Sequence, residues 1–202
     1  MFINGKEYFE GEHFEGIPDE LFDFERPQKP DEGVYKKVGG LCVGKSIVEG
    51  IISQMDKCSR YLEIGTFDGI ALSVFAEKFP DKQFHAVDSF SGDGTTGGGC
   101  LNYFIQNCQS LDNVFLYYGK SVDVLSTVPG KFQVIFVDGS HKYENVKYDL
   151  FYSYENLLES GGSLLFHDYT MEGVGPAVDE LMKKYKLTIK RDGFNCQHFR
   201  KK

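Results

Sequence analysis

The chain has 202 residues, 41% of them apolar and 15% aromatic, with a formal net charge of −8 at neutral pH. That length suits one α/β domain with a buried core, and the composition excludes a disordered chain. No apolar run approaches the ~18 residues of a membrane span, and the start lacks the basic-then-apolar pattern of a signal peptide. Cys42, Cys58, Cys100, Cys108 and Cys196 show neither CxxC nor zinc-ligand spacing and read as reduced thiols. A cytoplasmic protein away from membranes is expected.

The charge is uneven. Residues 1–33 carry ten acidic side chains against Lys6, Arg26 and Lys29, which accounts for most of the net charge. The remainder is close to neutral, which argues against a nucleic-acid partner tracked by its phosphates. Basic residues from Lys183 to Lys202 read as a solvated hairpin and tail. Residues 1–40 form an acidic, aromatic extension punctuated by Pro18, Pro27 and Pro30, with no sustained period. A lid, a subunit interface and a simple cover all fit it, so self-association stays open. The main domain is expected over residues 41–202.

Within this region Gly39-Gly40-Leu41-Cys42-Val43-Gly44-Lys45-Ser46 matches the phosphate-loop pattern GxxxxGK[ST]. A phosphate loop requires a buried apolar strand before it. The preceding Asp31–Val38 is short and charged, unlike a central parallel strand. A phosphotransferase using Gly39–Ser46 is therefore the weaker reading, and a loop entering a helix is preferred.

From Arg60 the chain alternates strand and helix signals, as in a parallel sheet covered on both faces. Strands are expected at Tyr61–Ile64, Gln83–Val87, Val114–Tyr118, Phe132–Val137 and Ser163–His167. Helices are expected at Gly69–Lys78, Leu101–Ser110, Ser121–Leu125 and Tyr143–Leu158, the last stopped by Gly161-Gly162. Pro176 opens a further helix, Ala177–Lys184, and Leu187–Lys190 with Cys196–Phe199 form a closing antiparallel hairpin. The glycine-rich stretch Ser91–Gly99 reads as a mobile loop.

The organising stretch is Arg60–Ser73, a strand running through Glu63 into the turn Gly65-Thr66-Phe67-Asp68-Gly69 and then a helix. Glycines there let a backbone approach a ligand, and the next helix points free amides at it. About 20 residues on, Asp88 ends the second strand, where a carboxylate accepts hydrogen bonds from ribose hydroxyls. Phe67 stands where a dinucleotide fold has its middle glycine, so a pyrophosphate would fit this turn poorly.

Glu63–Gly69 resembles the first motif of class I S-adenosylmethionine-dependent methyltransferases. Val137-Asp138-Gly139-Ser140-His141-Lys142-Tyr143-Glu144, continuing through Val146 to Asp149-Leu150, is similar to the VDGSHxYExVxxDL block of small-molecule O-methyltransferases. That family includes antibiotic-sugar methyltransferases and relatives of the cephalosporin-biosynthesis enzyme. The resemblance implies a Rossmann-like three-layer α/β sandwich with a seven-stranded, mainly parallel sheet in the order 3-2-1-4-5-7-6. It implies S-adenosylmethionine as cofactor, with Glu63, Gly65, Thr66 and Gly69 at its methionine half. Asp88 and Ser89 would meet the ribose and adenosine, Gly119, Lys120 and Ser121 the base, and Asp138 would also be a cofactor-binding residue. Ala71 departs from the serine of catechol-type relatives, so the methionine carboxylate would fall to backbone amides, Thr66 or Ser73.

The chemistry needs a deprotonated acceptor oxygen lined up with the methyl–sulfur bond, which proximity and a base provide. Adjacent parallel strands lie ~4.8 Å apart, so Asp138, His141, His167 and Asp168 can converge at the sheet's carboxyl edge. Two readings stay open. Asp138, His167 and Asp168 could hold a divalent cation (Mg, Mn, Fe or Zn) with His141 as base, or His141 or His167 could work without metal. The acceptor is expected to be a small molecule, a sugar or a phenolic metabolite. A non-catalytic cofactor-binding scaffold is the remaining alternative.

Overall fold

The computed structural model describes residues 1–7, 50–92, 99–191 and 197–201. Its elements in chain order are β1 (Phe2–Ile3), β2 (Lys6–Glu7), β3 (Arg60–Ile64), α1 (Ile70–Lys78), β4 (Gln83–Asp88), α2 (Leu101–Cys108) and β5 (Val114–Tyr118). There follow α3 (Ser121–Val124), β6 (Phe132–Val137), α4 (Tyr143–Tyr152), β7 (Leu158–Phe166), α5 (Val174–Tyr185), β8 (Lys190–Arg191) and β9 (Gln197–Arg200). Together the strands make one sheet in the order β2-β1-β5-β4-β3-β6-β7-β9-β8. From β5 to β8 this is the expected 3-2-1-4-5-7-6 order, with β3 to β7 parallel and β9 antiparallel to β7.

The central strands are apolar on both faces because helices cover both. Tyr61, Phe84, Leu116 and Phe136 pack with Leu72, Phe75 and Phe104 on one side. Leu62, Ile64, Ile135 and Val137 pack with Leu150, Val178 and Leu181 on the other. Glu63 shares the face of Tyr61, two residues away, and is the one acid in β3. The strand order reverses at β3, between β4 and β6, which opens a crevice beyond the carboxyl ends of the strands.

Four features depart from the expectations. The sheet has nine strands because Phe2–Ile3 and Lys6–Glu7 form a hairpin whose turn residues, Asn4 and Gly5, both take positive φ (48° and 80°). That geometry suits an Asn-Gly turn. β1 lies parallel to β5, with Ile3 fully buried and Phe2 stacked on Phe115 at 5.0 Å, so the first seven residues belong to the sheet. Second, α4 ends at Tyr152 and passes through a π-helical turn, Ser153–Leu157. Third, β7 then begins at Leu158 and runs through Gly161-Gly162, so these glycines sit in a strand that slips register opposite Phe132 and Val134; they do not stop a helix. Fourth, α5 starts at Val174, two residues before Pro176, and Lys183 and Lys184 complement its carboxyl end. The phosphate-loop match Gly39–Ser46, most of the glycine-rich stretch after Ser91, the rest of the N-terminal extension and the turn at 192–196 lie outside the described residues. Among the described residues no helix is long and apolar enough to cross a membrane.

Candidate active site

A cavity of about 650 Å³ opens where the strand order reverses. All the predicted site residues line it except Gly69, which starts α1 with φ +68°; a Cβ there would fall 2.5 Å from the Phe104 ring. Gly69 thus serves helix packing and makes no wall of the cavity.

Gly65 lines the cavity and is required for a packing reason as well. It has φ +89°, and a Cβ would lie 2.4 Å from the carbonyl oxygen of Asp138, so glycine lets the loops after β3 and β6 cross. The Gly65 N–H donates to the Val87 carbonyl at 2.9 Å and is not left over for a ligand. Thr66 is different. Its side chain is buried, and Oγ1 has no partner among the described residues. Ser73, the alternative for a cofactor carboxylate, donates its hydroxyl to the Ile70 carbonyl at 2.9 Å.

Asp88 joins two loops. Its Oδ2 accepts the Phe67 N–H at 2.8 Å and its Oδ1 accepts the Phe90 N–H at 2.7 Å. Phe67 and Phe90 both take φ +56°, a conformation rare for aromatic residues, and Asp88 holds each in place. Burial raises the Asp88 pKa, partly offset by these backbone donors. Asp68 performs a similar task nearby, accepting the Cys100 N–H at 2.8 Å and so tying the glycine turn to α2.

Glu63 is 3% exposed. Burial pushes its pKa up to about 8, against the Tyr61 hydroxyl that donates to Oε2 at 2.9 Å. No ion-pair partner for it appears among the described residues. A buried acid without a cation is costly unless a ligand supplies one.

The acid and histidine residues converge as expected. His141, on the loop after β6, places Nε2 2.9 Å from Oδ2 of Asp168. His167, just past β7, places Nδ1 3.2 Å from Oδ1 of Asp138 and 3.3 Å from Oδ2 of Asp168. The hydrogen bond to Asp138 raises the His167 pKa against the effect of burial, while burial raises that of Asp138. One ligand atom from each of Asp138, His167 and Asp168 lies within 4.8 Å of the others, a spacing that fits one divalent ion. Asp168 takes φ +56°, a strained non-glycine conformation that turns its carboxylate back toward both histidines. The loop carrying His141 is braced by Gly173, where a Cβ would meet the His141 carbonyl at 1.9 Å.

Asp149 on α4 also lines the cavity, and sequence reasoning passed over it. The signal was present. Val146, Asp149, Leu150, Ser153, Tyr154 and Leu157 are all buried, so Asp149 falls on the helical stripe and not opposite it.

A methyltransferase-domain family matches residues 62–169, from the middle of β3 to just beyond Asp168. The match covers more than half of the chain and every predicted site residue. The chain belongs to this methyltransferase family. An uncharacterized protein of Acanthamoeba polyphaga mimivirus is 26% identical to it over 169 residues, 76% of this chain and 71% of that protein. The fold is that of solved methyltransferases. The Podospora anserina methyltransferase PaMTH1 bound to S-adenosylhomocysteine superposes with a TM-score of 0.61 at 20% identity, over 92% of this chain and 89% of that one. The O-methyltransferase from Bacillus cereus in complex with S-adenosylhomocysteine superposes with a TM-score of 0.59 at 13% identity, over 91% and 90%. In this methyltransferase the family match begins well after Gly39–Ser46, so it lends nothing to a phosphate loop.

Proposed function

We propose that this methyltransferase moves a methyl group from S-adenosylmethionine to a hydroxyl of a small molecule, a sugar or a phenolic metabolite. The observation that carries the reading is the His141–Asp168 pair at 2.9 Å, in the same cavity as the buried Glu63 and the unpartnered Thr66 hydroxyl. The residues suit the cofactor. Glu63 supplies a negative charge for its ammonium group, Thr66 a hydroxyl for its carboxylate, and Asp88 a carboxylate acceptor for its ribose. When bound, S-adenosylmethionine supplies an activated methyl on a sulfonium, so the protein needs to align and deprotonate the acceptor and little more.

His141 takes the acceptor's proton, and Asp168 against Nε2 stabilises the imidazolium that results. Asp138, His167 and Asp168 would hold a divalent cation, which lowers the pKa of a bound hydroxyl. The histidine in this set favours manganese, iron or zinc over magnesium. The VDGSHxYExVxxDL resemblance supports the antibiotic-sugar class of acceptor, and a cavity of about 650 Å³ lies within the ordinary range for small-molecule sites.

The test is methyl transfer to a panel of sugar and phenol hydroxyls with added Mn²⁺. His141→Ala is expected to lower kcat about 10²- to 10⁴-fold while leaving S-adenosylhomocysteine affinity within a few-fold of wild type. Turnover that survives His141→Ala unchanged would remove it as the base.

A further inference from the structure

His141 stands on the loop between β6 and α4, and Asp168, the other member of its pair, stands on the loop between β7 and α5. A contact across two loops is only as constant as whatever holds those loops together. Within the first loop the Ser140 hydroxyl oxygen accepts the Lys142 N–H at 3.2 Å and the Asn145 side-chain amide at 3.1 Å. These bonds tie the turn to α4 but not to the loop of Asp168.

The connection between the two loops is α5. Gly173 caps its amino end, and a Cβ there would fall 1.9 Å from the His141 carbonyl oxygen and 2.8 Å from the Tyr143 nitrogen. With φ −89° the backbone at Gly173 suits any residue, so only this close approach requires glycine. Seven residues on, the Glu180 carboxylate accepts the Tyr143 hydroxyl and pairs with Lys147 at 2.9 Å. Hydrogen bonds from Tyr143 and Lys147 hold the Glu180 carboxyl below its ordinary range, so it takes them as an anion. Residues seven apart in a helix share one side. Gly173 and Glu180 thus meet the segment from His141 to Lys147 from the same side of α5.

We propose that Gly173 and Glu180 are positioning residues that clamp the His141 loop onto α5 and so fix His141 against Asp168. This rests on His141 as the base. The two contacts differ in weight. Lys147 and Glu180 are 35% and 40% exposed, and an ion pair that open contributes little by itself. The approach at Gly173 is to backbone atoms, which cannot yield as the tip of a side chain can, so it fixes the loop more firmly. A displacement of about 1 Å in a reacting group can cost about 10²-fold in rate.

Kinetics and crystallography together test the clamp. Gly173→Ala is expected to lower kcat about 10²-fold, with acceptor KM and S-adenosylhomocysteine affinity within about 3-fold of wild type. Glu180→Ala and Tyr143→Phe should each lower kcat about 2- to 10-fold, as for one lost hydrogen bond, and the double variant should be no slower than either. Glu180→Gln keeps an acceptor for the Tyr143 hydroxyl and should return kcat to within about 2-fold of wild type. A merely structural role would lower Tm and leave kcat unchanged well below it; that result, or additive losses in the double variant, overturns the proposal. Should Gly173→Ala fail to fold, the Glu180 and Tyr143 variants decide alone. The crystal structure of Gly173→Ala reads the clamp without turnover. Its His141 Nε2 to Asp168 Oδ2 separation is expected to exceed about 3.5 Å, beyond hydrogen-bond reach, and an unchanged 2.9 Å overturns the assignment. Turnover that survives His141→Ala would instead overturn the base reading, and the crystallographic separation would still decide whether α5 holds the two loops.

Discussion

Glu63 shows how one side chain sets the character of the site. In the unfolded chain its carboxyl titrates near 4.3, and in the folded protein near 8. Between these values the native state holds a proton that the unfolded state has released. Stability from this residue is therefore complete below about pH 4 and declines as pH rises toward 8, by up to about 1.4 kcal/mol per pH unit. Asp149, pushed up to about 7, adds a decline of the same sign over a narrower window. Glu63→Gln removes the titrating group, so its Tm is expected to fall less steeply than that of wild type between pH 5 and 8, and to exceed it at pH 8. Parallel Tm curves would mean that Glu63 is not held protonated. The same variant should lose at least about tenfold in S-adenosylhomocysteine affinity, because the ammonium group of the ligand loses its charge partner.

Among the elements, β3 to β7 were legible in the sequence because each parallel strand is a short apolar run ended by glycine, aspartate or histidine. Boundaries moved where local signals competed. Gly161-Gly162 reads as a helix stop, yet register slippage against β6 places these residues in β7, and a Cβ at Gly162 would come 2.9 Å from the Gln133 carbonyl. The first hairpin carried its Asn-Gly signal, but two-residue strands beside a long acidic segment have no period to detect. Its contribution is measurable. Ile3 is fully buried under β5, so Ile3→Ala is expected to cost about 2–4 kcal/mol in denaturant unfolding. Ligand affinity should not change, since β1 lies beyond β5 from the glycine turn. A loss below about 0.5 kcal/mol, the range of surface substitutions, would mean that the hairpin is not docked in solution.

At the scale of the whole molecule, the site is a product of topology. Strand order reverses at β3, the loops after β3 and β6 cross at Gly65, and the ends of β6 and β7 bring Asp138, His141, His167 and Asp168 together. Those four were legible because acids and histidines at adjacent strand ends are conspicuous in sequence. Thr66 could be named as one candidate among three, and only packing distinguishes it: the Gly65 amide and the Ser73 hydroxyl are already bonded within the protein. Asp149 falls on the buried stripe of α4, so its burial was legible in the sequence, whereas its place at the cavity wall beside the single turn of α3 was not.

The most direct measurement is calorimetric titration of the protein with S-adenosylhomocysteine, alongside ATP with magnesium. Binding of S-adenosylhomocysteine alone, with Kd of about 1–100 μM, or about −8 to −5 kcal/mol, and its loss in Asp88→Ala, is the predicted result. Binding of ATP without S-adenosylhomocysteine would contradict the account and turn attention to Lys45.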